Sequence, residues 1–452
     1  MGGRMNARDA LVRRLSDALG PRRLIWAGLR GSDAESLVDL PQFDASFTIL
    51  DAYQRRPLTY GVAYESFTGE RPDMERWDID EHLEDPASRE FRHGLLTAMG
   101  VESALLPYRP SSFLSSLWFA RKDRCLNLGL FGAHQNAFEH KPWVESSLAD
   151  RGVPGMGWTY VADEEQLLAQ SRLSSGPLVL RRSRTSGGEG MVSARTAAEM
   201  VSVWPQADES FVSVAPYISG GIPLNIGATV TEGGIAVHHA SVQLIGIPSC
   251  TTRPFGYCGN DFAAAQDLPD SVLDEVEAST RTIGTWLGRH GYRGSFGVDF
   301  LVKDGVPLFT EVNPRFQGST AASARLSVEQ GLPCLLMEHT ASFLDVPLIE
   351  RPPLRYQVRR AAPLAQVVVH WVGEQPAAVD AAALVDAVSA LAPSCEVEAV
   401  VPEGCLVHPG ATVARFVVRE RLTGTGFDLA PAWDEVIAAW NGQALQGAKN
   451  KE

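Results

Sequence analysis

Along the first part of the chain, apolar positions alternate between the spacing of a helix and that of a strand. Leucines recur at every fourth position within residues 7–20, which predicts a helix that ends at a glycine. Short apolar runs at 24–27 and 46–50 are typical of strands. Strands that alternate with helices indicate an open α/β domain, which we place at residues 1–134.

Beyond residue 134 the hydrophobic pattern changes to that of antiparallel strands with flanking helices. Helices are predicted at 141–149 and 271–290, and strands at 158–161, 178–181, 190–192, 211–218, 233–244, 298–302 and 307–312. This pattern predicts an α+β region over residues 135–350. A proline-rich hinge at 351–353 then opens a small Ala/Val-rich domain, residues 351–452.

The composition is that of a globular protein that binds neither nucleic acid nor membranes. Hydrophobic residues make up 45% and charged residues 21% of the 452 residues, and the net charge is −14. An acidic protein lacks the basic surface that a phosphate backbone needs. No apolar run reaches the roughly 18 residues of a membrane span. The six cysteines show no C-x-x-C spacing, and no apolar core follows the Arg-rich N-terminus, so we expect free thiols in a cytoplasmic protein.

The strongest chemical signal is a pair of strands that bear acidic and amide side chains and are joined by a tight turn. Asp299 lies in the first strand, Glu311 and Asn313 lie in the second, and residues 303–305 form the turn. Because residues i and i+2 of a strand share a face, the three side chains can converge. Two carboxylates and an amide oxygen suit Mg²⁺, which takes few protein ligands and completes its shell with phosphates.

Arg315 continues the same alternation two residues beyond Asn313. On that side it would stabilise negative charge on a transferring phosphoryl group, which makes it the candidate catalytic residue. The alternative is an exposed hairpin whose charges are only solvated. That alternative accounts for Lys303 and Asp304, but not for an apolar strand with Glu, Asn and Arg on one face.

A second signal is the Gly-rich turn, residues 185–190, which follows a predicted strand that ends at Arg181. Backbone amides of such a turn can approach phosphate oxygens, and an arginine adds a fixed charge. The segment fits neither a Walker loop nor a dinucleotide fingerprint. Lys141, at the start of a predicted helix, could place a compact charge on a phosphate, although a solvated helix start explains a lone lysine equally well.

Together these three segments resemble the ATP-grasp superfamily over roughly residues 135–345. The resemblance implies ATP and Mg²⁺ as cofactors, a pre-ATP-grasp α/β domain, a central ATP-grasp domain and a small C-terminal domain. It implies that Asp299, Glu311 and Asn313 hold the metal and that Arg315 is the phosphate arginine. It also implies nucleotide binding by Lys141, Arg181, Ser186, Gly187, Gly188, Gly190, Ala215, Tyr217 and Ile218.

Two positions depart from the superfamily pattern. Arg181 stands where a second lysine is usual, which keeps the charge. The segment 215–218 (Ala-Pro-Tyr-Ile) stands where a glutamate usually precedes an aromatic and an aliphatic residue, which leaves the usual acidic contact unassigned. Backbone groups read adenine at that hinge, so we expect this change to be tolerated.

Within the superfamily the layout resembles the dipeptide and peptide ligases, in particular the pheganomycin-type peptide ligases. The biotin-carboxylase branch fits less well, because basic residues follow its equivalent of Gln243, whereas residues 244–249 are uncharged here. The likeness implies a ligase of antibiotic biosynthesis that activates a carboxylic acid, of modified amino-acid type, as an acyl phosphate. The acid would then be joined to the amino group of a peptide, with release of ADP and phosphate. We further expect Arg253 to border the substrate pocket.

Two alternatives stay open at this stage. The first is a metabolic ligase that joins a small-molecule carboxylic acid to an amine. The second is a nucleotide-binding scaffold without turnover, which would have no need of a transition-state arginine such as Arg315. The oligomeric state is also open, with a homodimer as one alternative.

Overall fold

The computed structural model describes residues 6–174, 176–184, 187–203 and 211–449. Within these ranges the chain forms α-helices, strands and short 3-10 helices, the last at Ser32–Asp39, Ile79–Glu81 and Ala264–Asp267. The α-helices are α1 Ala7–Leu19, α2 Glu65–Thr68, α3 Pro86–Ala98, α4 Ser112–Phe119, α5 Gly132–Phe138, α6 Lys141–Ala149, α7 Glu164–Leu173, α8 Ala197–Val203, α9 Asp270–Arg289, α10 Thr320–Glu329, α11 Leu335–Phe343, α12 Leu354–Arg360, α13 Ala381–Leu391 and α14 Pro431–Lys449. The strands are β1 Arg23–Gly28, β2 Phe43–Thr48, β3 Tyr60–Ala63, β4 Glu70–Arg71, β5 Ser103–Pro107, β6 Cys125–Asn127, β7 Thr159–Val161, β8 Leu178–Arg181, β9 Met191–Ala194, β10 Val212–Pro216, β11 Ile222–Thr231, β12 Gly234–Ile245, β13 Tyr257–Asp261, β14 Gly294–Lys303, β15 Val306–Asn313, β16 Ala365–His370, β17 Ala377–Ala378, β18 Glu396–Val400, β19 Leu406–Val407 and β20 Thr412–Val418.

The N-terminal region is built on a parallel sheet in the order β3-β2-β1-β5-β6. Leu24 and Trp26 of β1 pack into the core on one face, and Ile25 and Ala27 pack into the core on the other. Because both faces are covered, β1 is a continuous apolar run. The chain leaves β1 toward β2 and later returns on the opposite side as β5, so the carboxyl ends of β1 and β5 flank a topological switch point.

The central region is built on an antiparallel sheet in the order β15-β14-β11-β12-β13-β16-β20-β18. Helix α9 packs across it with an apolar stripe that includes Val276, Ile283 and Leu287, at the spacing of one helical face. Strand β15 is at one edge of this sheet and pairs with β14 through the tight turn at residues 304–305. The predicted hairpin is therefore the edge of the main sheet.

The C-terminal region continues the same sheet, because β16 pairs with β13 and β20 pairs with β16. A small second contact joins the N-terminal and C-terminal regions, where β19 pairs with β4, the strand that contains the buried Arg71. The Arg71 guanidinium donates to Glu65 and Asp51 at 2.7 Å and to the backbone carbonyl of Thr412 at 3.3 Å. The domain boundaries placed at 134/135 and 350/351 stay a prediction.

A separate antiparallel sheet, in the order β7-β10-β8-β9, lies with helices α7 and α8 beside the main sheet. Its own apolar core includes Leu167, Leu180 and Val214. Strands β8 and β10 end at Arg181 and Pro216, which places the Gly-rich turn and the segment 215–218 on this smaller sheet.

The mixed α/β and α+β fold class predicted from the sequence is confirmed. An open parallel sheet precedes an antiparallel centre, as the change of hydrophobic pattern near residue 135 indicates. No helix in the described ranges has the length and apolar character to cross a bilayer.

Candidate active site

A cleft of about 300 Å³, here called the main cleft, lies between the N-terminal region, the smaller sheet and the β14–β15 edge. Most of the site residues predicted from the sequence line it. These are Arg181, Gly187, Gly188, Ala215, Tyr217, Ile218, Asp299, Glu311, Asn313 and Arg315. Lys141, Gly190 and Arg253 are not among the lining residues, and Ser186 lies outside the described residues.

The structure brings the acidic residues together through the register of the hairpin. Asp299 on β14 is directly opposite Glu311 on β15, and Gly297 is opposite Asn313. Facing residues of neighbouring antiparallel strands have Cβ atoms about 5 Å apart. Asp299, Glu311 and Asn313 therefore share one area of the sheet, here called the acidic patch. A register shift next to Asp299 interrupts the ladder at this patch, a location where bulges often re-aim side chains.

Two residues that the sequence did not single out hold Asp299. Asn225 on β11 donates to Asp299 Oδ1 at 2.6 Å, and Gln243 on β12 donates to the same atom at 3.2 Å. Asn313 Nδ2 donates to Asp299 Oδ2 at 3.1 Å. Burial and the negative charge of Glu311 nevertheless raise the pKa of Asp299 to about 7. Asp299 therefore holds its proton to a higher pH than an exposed aspartate does.

The donor atoms of the patch are compatible with Mg²⁺, and metal binding by these residues stays a prediction. Like charges directly opposite on neighbouring strands are destabilising, so a cation between Asp299 and Glu311 would offset their repulsion. No cluster of three or more His, Cys, Asp or Glu side chains suited to a metal occurs in the described ranges. A metal here would depend on two carboxylates, the amide of Asn313 and phosphate oxygens, which is a donor set that Mg²⁺ accepts.

Lys141 is the first residue of α6 and reaches the acidic patch from behind the main cleft. Its Nζ lies 3.3 Å from Glu311 Oε1, and its side chain is only 6% exposed. The backbone N–H of Lys141 donates to the carbonyl of Ser183 at 3.3 Å, which ties the start of α6 to the segment after β8. The predicted lysine and the predicted metal ligand thus lie next to each other.

Arg181 is buried at the end of β8 and held on three sides. Its guanidinium forms an ion pair with Glu145 of α6 and donates to the carbonyl of Thr310 at 2.9 Å. Its Cζ lies 3.9 Å from the centre of the Trp158 ring, which is a cation–π contact. Because these contacts fix the side chain, Arg181 presents a pre-oriented charge to the main cleft. Glu145 and Trp158 had no recognisable signal in the sequence.

Arg315 lies on the loop after β15 with its side chain 15% exposed. Nη1 donates to the carbonyl of Phe316 at 3.2 Å, and Nε lies 3.5 Å from Glu139 Oε1. Burial opposes the charge of the guanidinium, but Tyr108 and Glu139 raise the pKa of Arg315, so it stays a cation. It lines the main cleft together with Glu311 and Asn313, and its role as the catalytic residue stays a prediction.

The described part of the Gly-rich turn packs closely against the rest of the site. Gly187, Gly188 and Gly190 have φ values of +55°, +78° and +65°, a region that other residues rarely adopt. A Cβ at Gly188 would overlap the carbonyl of Phe255, and one at Gly187 would overlap the side chain of Glu75. Both glycines are therefore required by backbone geometry and by close approach.

The substitution Gly188→Ala is expected to lower kcat/KM for ATP about tenfold or more, because the turn must withdraw from Phe255 to make room. The matched control is Gly152→Ala, since Gly152 has a similar φ of +75° and no atom near its would-be Cβ. The control should lose only about 1–2 kcal/mol of stability, the cost of a left-handed alanine. Steady-state kinetics with ATP as the varied substrate checks both variants. Equal kinetics for the two would contradict the close approach.

The segment 215–218 forms the opposite wall of the main cleft. Ala215 is buried and Tyr217 is 41% exposed, and the Tyr217 backbone N–H donates to the carbonyl of Pro177 at 2.9 Å. Ala215, Tyr217 and Ile218 all line the cleft, as the predicted adenine hinge requires. Their contact with a nucleotide stays a prediction.

The structure places Arg253 in a pair of ion pairs that join the Gly-rich turn to the N-terminal region. Its Nε lies 2.9 Å from Glu189 Oε2, and its Nη2 pairs with Asp73. Arg76 also pairs with Glu189, at 3.0 Å. The role of Arg253 in substrate binding stays a prediction, whereas its contact with Glu189 points to an effect on the turn.

We expect Arg253→Ala and Glu189→Gln each to raise KM for ATP severalfold, because both break the ion pair that positions the turn. The double variant should be no worse than either single variant, since coupled residues are not additive. Kinetics with ATP and with the acid varied in turn checks this. If Arg253 instead binds the acid, as the sequence predicts, Arg253→Ala will raise KM for the acid and Glu189→Gln will not.

Residues 152–319 match the family model described as the ATP-grasp domain. The matched range contains the Gly-rich turn, the segment 215–218, the acidic patch and Arg315. The chain therefore contains an ATP-grasp domain, and the predicted resemblance is confirmed at that level.

Curated relatives match less than half of the chain. The carbamoyl phosphate synthase large chain of Neisseria meningitidis serogroup B is 27% identical over 193 residues, covering 40% of this chain and 16% of the relative. The large chain of Hyperthermus butylicus is 22% identical over 206 residues, covering 44% and 18%. This chain thus spans less than a fifth of the length of these relatives.

Solved structures share the whole architecture. Carboxyaminoimidazole ribonucleotide synthase from Aspergillus clavatus, complexed with ATP, has a TM-score of 0.58 and 12% identity, covering 95% of this chain and 99% of that one. The biotin carboxylase domain of Hydrogenobacter thermophilus 2-oxoglutarate carboxylase, in complex with MgADP, has a TM-score of 0.56 and 12% identity, covering 91% and 84%. At these identities the likeness shows the fold, including the regions outside the ATP-grasp domain. The bound nucleotides and Mg²⁺ agree with the cofactors expected for this fold, whereas closeness to pheganomycin-type ligases stays a prediction.

Proposed function

We propose that this protein is an ATP-dependent ligase that activates a small-molecule carboxylic acid as an acyl phosphate and joins it to an amine. The observation that best supports this proposal is the convergence of Asp299, Glu311 and Asn313 with Lys141 and Arg315 beside one cleft. Two carboxylates that repel each other and two fixed cations at their sides are what a Mg²⁺-nucleotide needs.

The proposed reaction has two steps. An oxygen of the acid attacks the γ-phosphorus of ATP, the bond from that phosphorus to the β–γ bridging oxygen breaks, and ADP leaves. The amine nitrogen then attacks the acyl carbon, expels inorganic phosphate and loses a proton. When bound, Mg²⁺ supplies charge neutralisation for the β- and γ-phosphates.

The residues of the chain position and stabilise charge in this scheme. Arg315 is held by Phe316 and Glu139 at the lining of the main cleft, so its charge needs little reorganisation as negative charge develops on the transferring phosphoryl group. Arg181 is fixed by Glu145 and would bind the nucleotide phosphates in the ground state as well. The Gly-rich turn would cover the phosphates with backbone N–H groups and exclude water.

The relatives favour the small-molecule alternative over the peptide ligase that the sequence predicted. Their names are those of enzymes of small molecules: carbamoyl phosphate synthase, carboxyaminoimidazole ribonucleotide synthase and the biotin carboxylase domain of 2-oxoglutarate carboxylase. The peptide acceptor, the link to antibiotic biosynthesis and the homodimer stay predictions. We keep the cytoplasm as the expected location.

The first test is product release by the full chain with ATP, MgCl₂ and a panel of carboxylic acids paired with amines, amino acids and short peptides. The proposal expects ADP and phosphate only when both an acid and an amine are present. AMP and pyrophosphate would contradict an acyl phosphate. ATP turnover that ignores both substrates would contradict the ligase. Tight ATP binding without turnover across the panel would favour a scaffold.

A further inference from the structure

A second cavity, here called the side pocket, adjoins the main cleft in the N-terminal region. It measures about 60 Å³ and shares four lining residues with the main cleft: Leu29, Met74, Tyr108 and Arg109. Its location is the carboxyl end of β1 and β5, where the sheet has its topological switch point. Ligands of open α/β sheets bind in the crevice at such a point.

The walls of the side pocket are apolar and largely aromatic. Phe47, Phe91 and Phe113 line it together with Trp77 and Leu114. Its volume exceeds what one water needs, and a cavity with such walls offers water few hydrogen-bond partners. An apolar group of a ligand is therefore the favoured occupant.

Polar groups occur at the rim and behind the wall. Arg109, which lines both cavities, forms an ion pair with Asp78, and each side chain is about one-third exposed. Asp80 accepts hydrogen bonds from the backbone N–H groups of Ser112 at 2.7 Å and Phe113 at 2.8 Å, which fixes the start of α4. The wall formed by α4 is thus held in place without a ligand.

Tyr108 connects the side pocket to the part of the main cleft that Arg315 lines. Its backbone carbonyl accepts a hydrogen bond from the N–H of Phe316 at 3.3 Å, next in the chain to Arg315. Tyr108 also lines both cavities. The side pocket therefore opens onto the same cleft that Arg315 lines.

We propose that the side pocket binds the apolar side chain of the acid, so that the enzyme selects carboxylic acids with a branched alkyl or aryl group. This inference rests on the proposed function, because that function puts the carboxylate at Arg315. It assigns Leu114, Met74 and the phenylalanines of the pocket to substrate selection and gives no such assignment to the amine.

The test is calorimetric titration of the MgADP-loaded full chain with acetate, 3-methylbutanoate and phenylacetate. Wild type is expected to bind at least one of the two larger acids about tenfold or more tightly than acetate. Leu114→Trp, which fills the pocket, should remove this preference and leave the affinity for MgADP unchanged. The matched control is Phe119→Trp, which adds the same ring on the same helix at a position that is 62% exposed.

Failure of this inference can be distinguished from failure of the proposed function. If Leu114→Trp does not fold, Ile49→Phe replaces it, because Ile49 lines the side pocket and not the main cleft. Equal binding of all three acids by wild type, or an unchanged preference in the filled variant, overturns the inference. A filled variant that changes the affinity of the amine instead of the acid overturns it as well. Failure of the proposed function appears elsewhere, as absence of ADP release with every acid and amine in wild type.

Discussion

Replacement of Glu311 by glutamine is expected to reduce ADP release about a thousandfold or more, with the fold intact. Glu311 lies opposite Asp299 and 3.3 Å from the Nζ of Lys141. It therefore contacts both the second carboxylate of the acidic patch and the lysine beside it. Glutamine keeps the size of the side chain but removes a charge that Mg²⁺ requires. Loss of one preorganised electrostatic contact to a reacting phosphoryl group costs about 10²–10³ in rate, and weaker metal binding adds to that.

The control for this variant is Asp304→Asn in the turn of the same hairpin. Asp304 is 84% exposed and has a φ of +50°, a conformation that asparagine also adopts. Its rate of ADP release should equal that of wild type. Single-turnover kinetics at saturating ATP and MgCl₂ measures both variants. A Glu311→Gln protein that turns over at even a tenth of the wild-type rate would exclude Glu311 from the reacting centre.

The central hairpin could be predicted because its information is local. Two apolar runs, a Lys-Asp-Gly turn and polar residues at alternate positions are all contained in residues 294–315. The structure adds the register that puts Asp299 opposite Glu311, with its shift next to Asp299. The shift leaves Thr310 of β15 without an opposite residue on β14, a detail that the alternation of residues does not reveal.

The surroundings of the hairpin could not be predicted, because they come from distant strands. Strand β11 was not predicted, although its Asn225 is directly opposite Asp299 and donates to it at 2.6 Å. Gln243 also donates to Asp299, from β12. That strand was predicted, but its pairing with β11 was not. An isolated amide in an apolar strand gives no signal of the carboxylate it will meet. Only the order of strands in the sheet brings them together.

Arg181 illustrates the same limit for charge. A charge near the phosphates could be expected from the sequence, but not the ion pair with Glu145, which lies 36 residues earlier in the chain. The Trp158 ring beneath the guanidinium could not be expected either. These partners decide whether the arginine is mobile or fixed. Their effect on the site therefore becomes visible only once β8 packs against α6 and β15.

The second large effect concerns stability. Without metal, Asp299→Asn is expected to raise the free energy of unfolding at pH 8 by as much as about 4 kcal/mol. The carboxyl has a pKa of about 7 in the folded protein and 3.8 as its ordinary value. At 1.36 kcal/mol per pH unit, that difference corresponds to about 4 kcal/mol, and burial opposite Glu311 is its cause.

The sign follows from the protons bound by each state. Between about pH 4 and pH 7 the unfolded chain has released the Asp299 proton while the folded protein retains it, so wild type loses stability as the pH rises. Asparagine has no proton to release, so Asp299→Asn should lack this loss. The gain of the variant over wild type should therefore be small near pH 4, grow through pH 5 and 6, and level off above pH 7.

Urea unfolding in EDTA, at pH values from 4.5 to 8, measures this difference directly, because other titrating groups are common to both proteins. The order should reverse when MgADP is added at pH 8. Wild type then gains the stability of a bound metal at the Asp299–Glu311 pair, whereas the variant gains less, since a ligand stabilises in proportion to its affinity for the folded state. A difference between the two proteins that stays constant from pH 4.5 to 8 would mean that Asp299 is already ionised in the folded protein. A larger MgADP stabilisation in the variant than in wild type would remove Asp299 from the metal site.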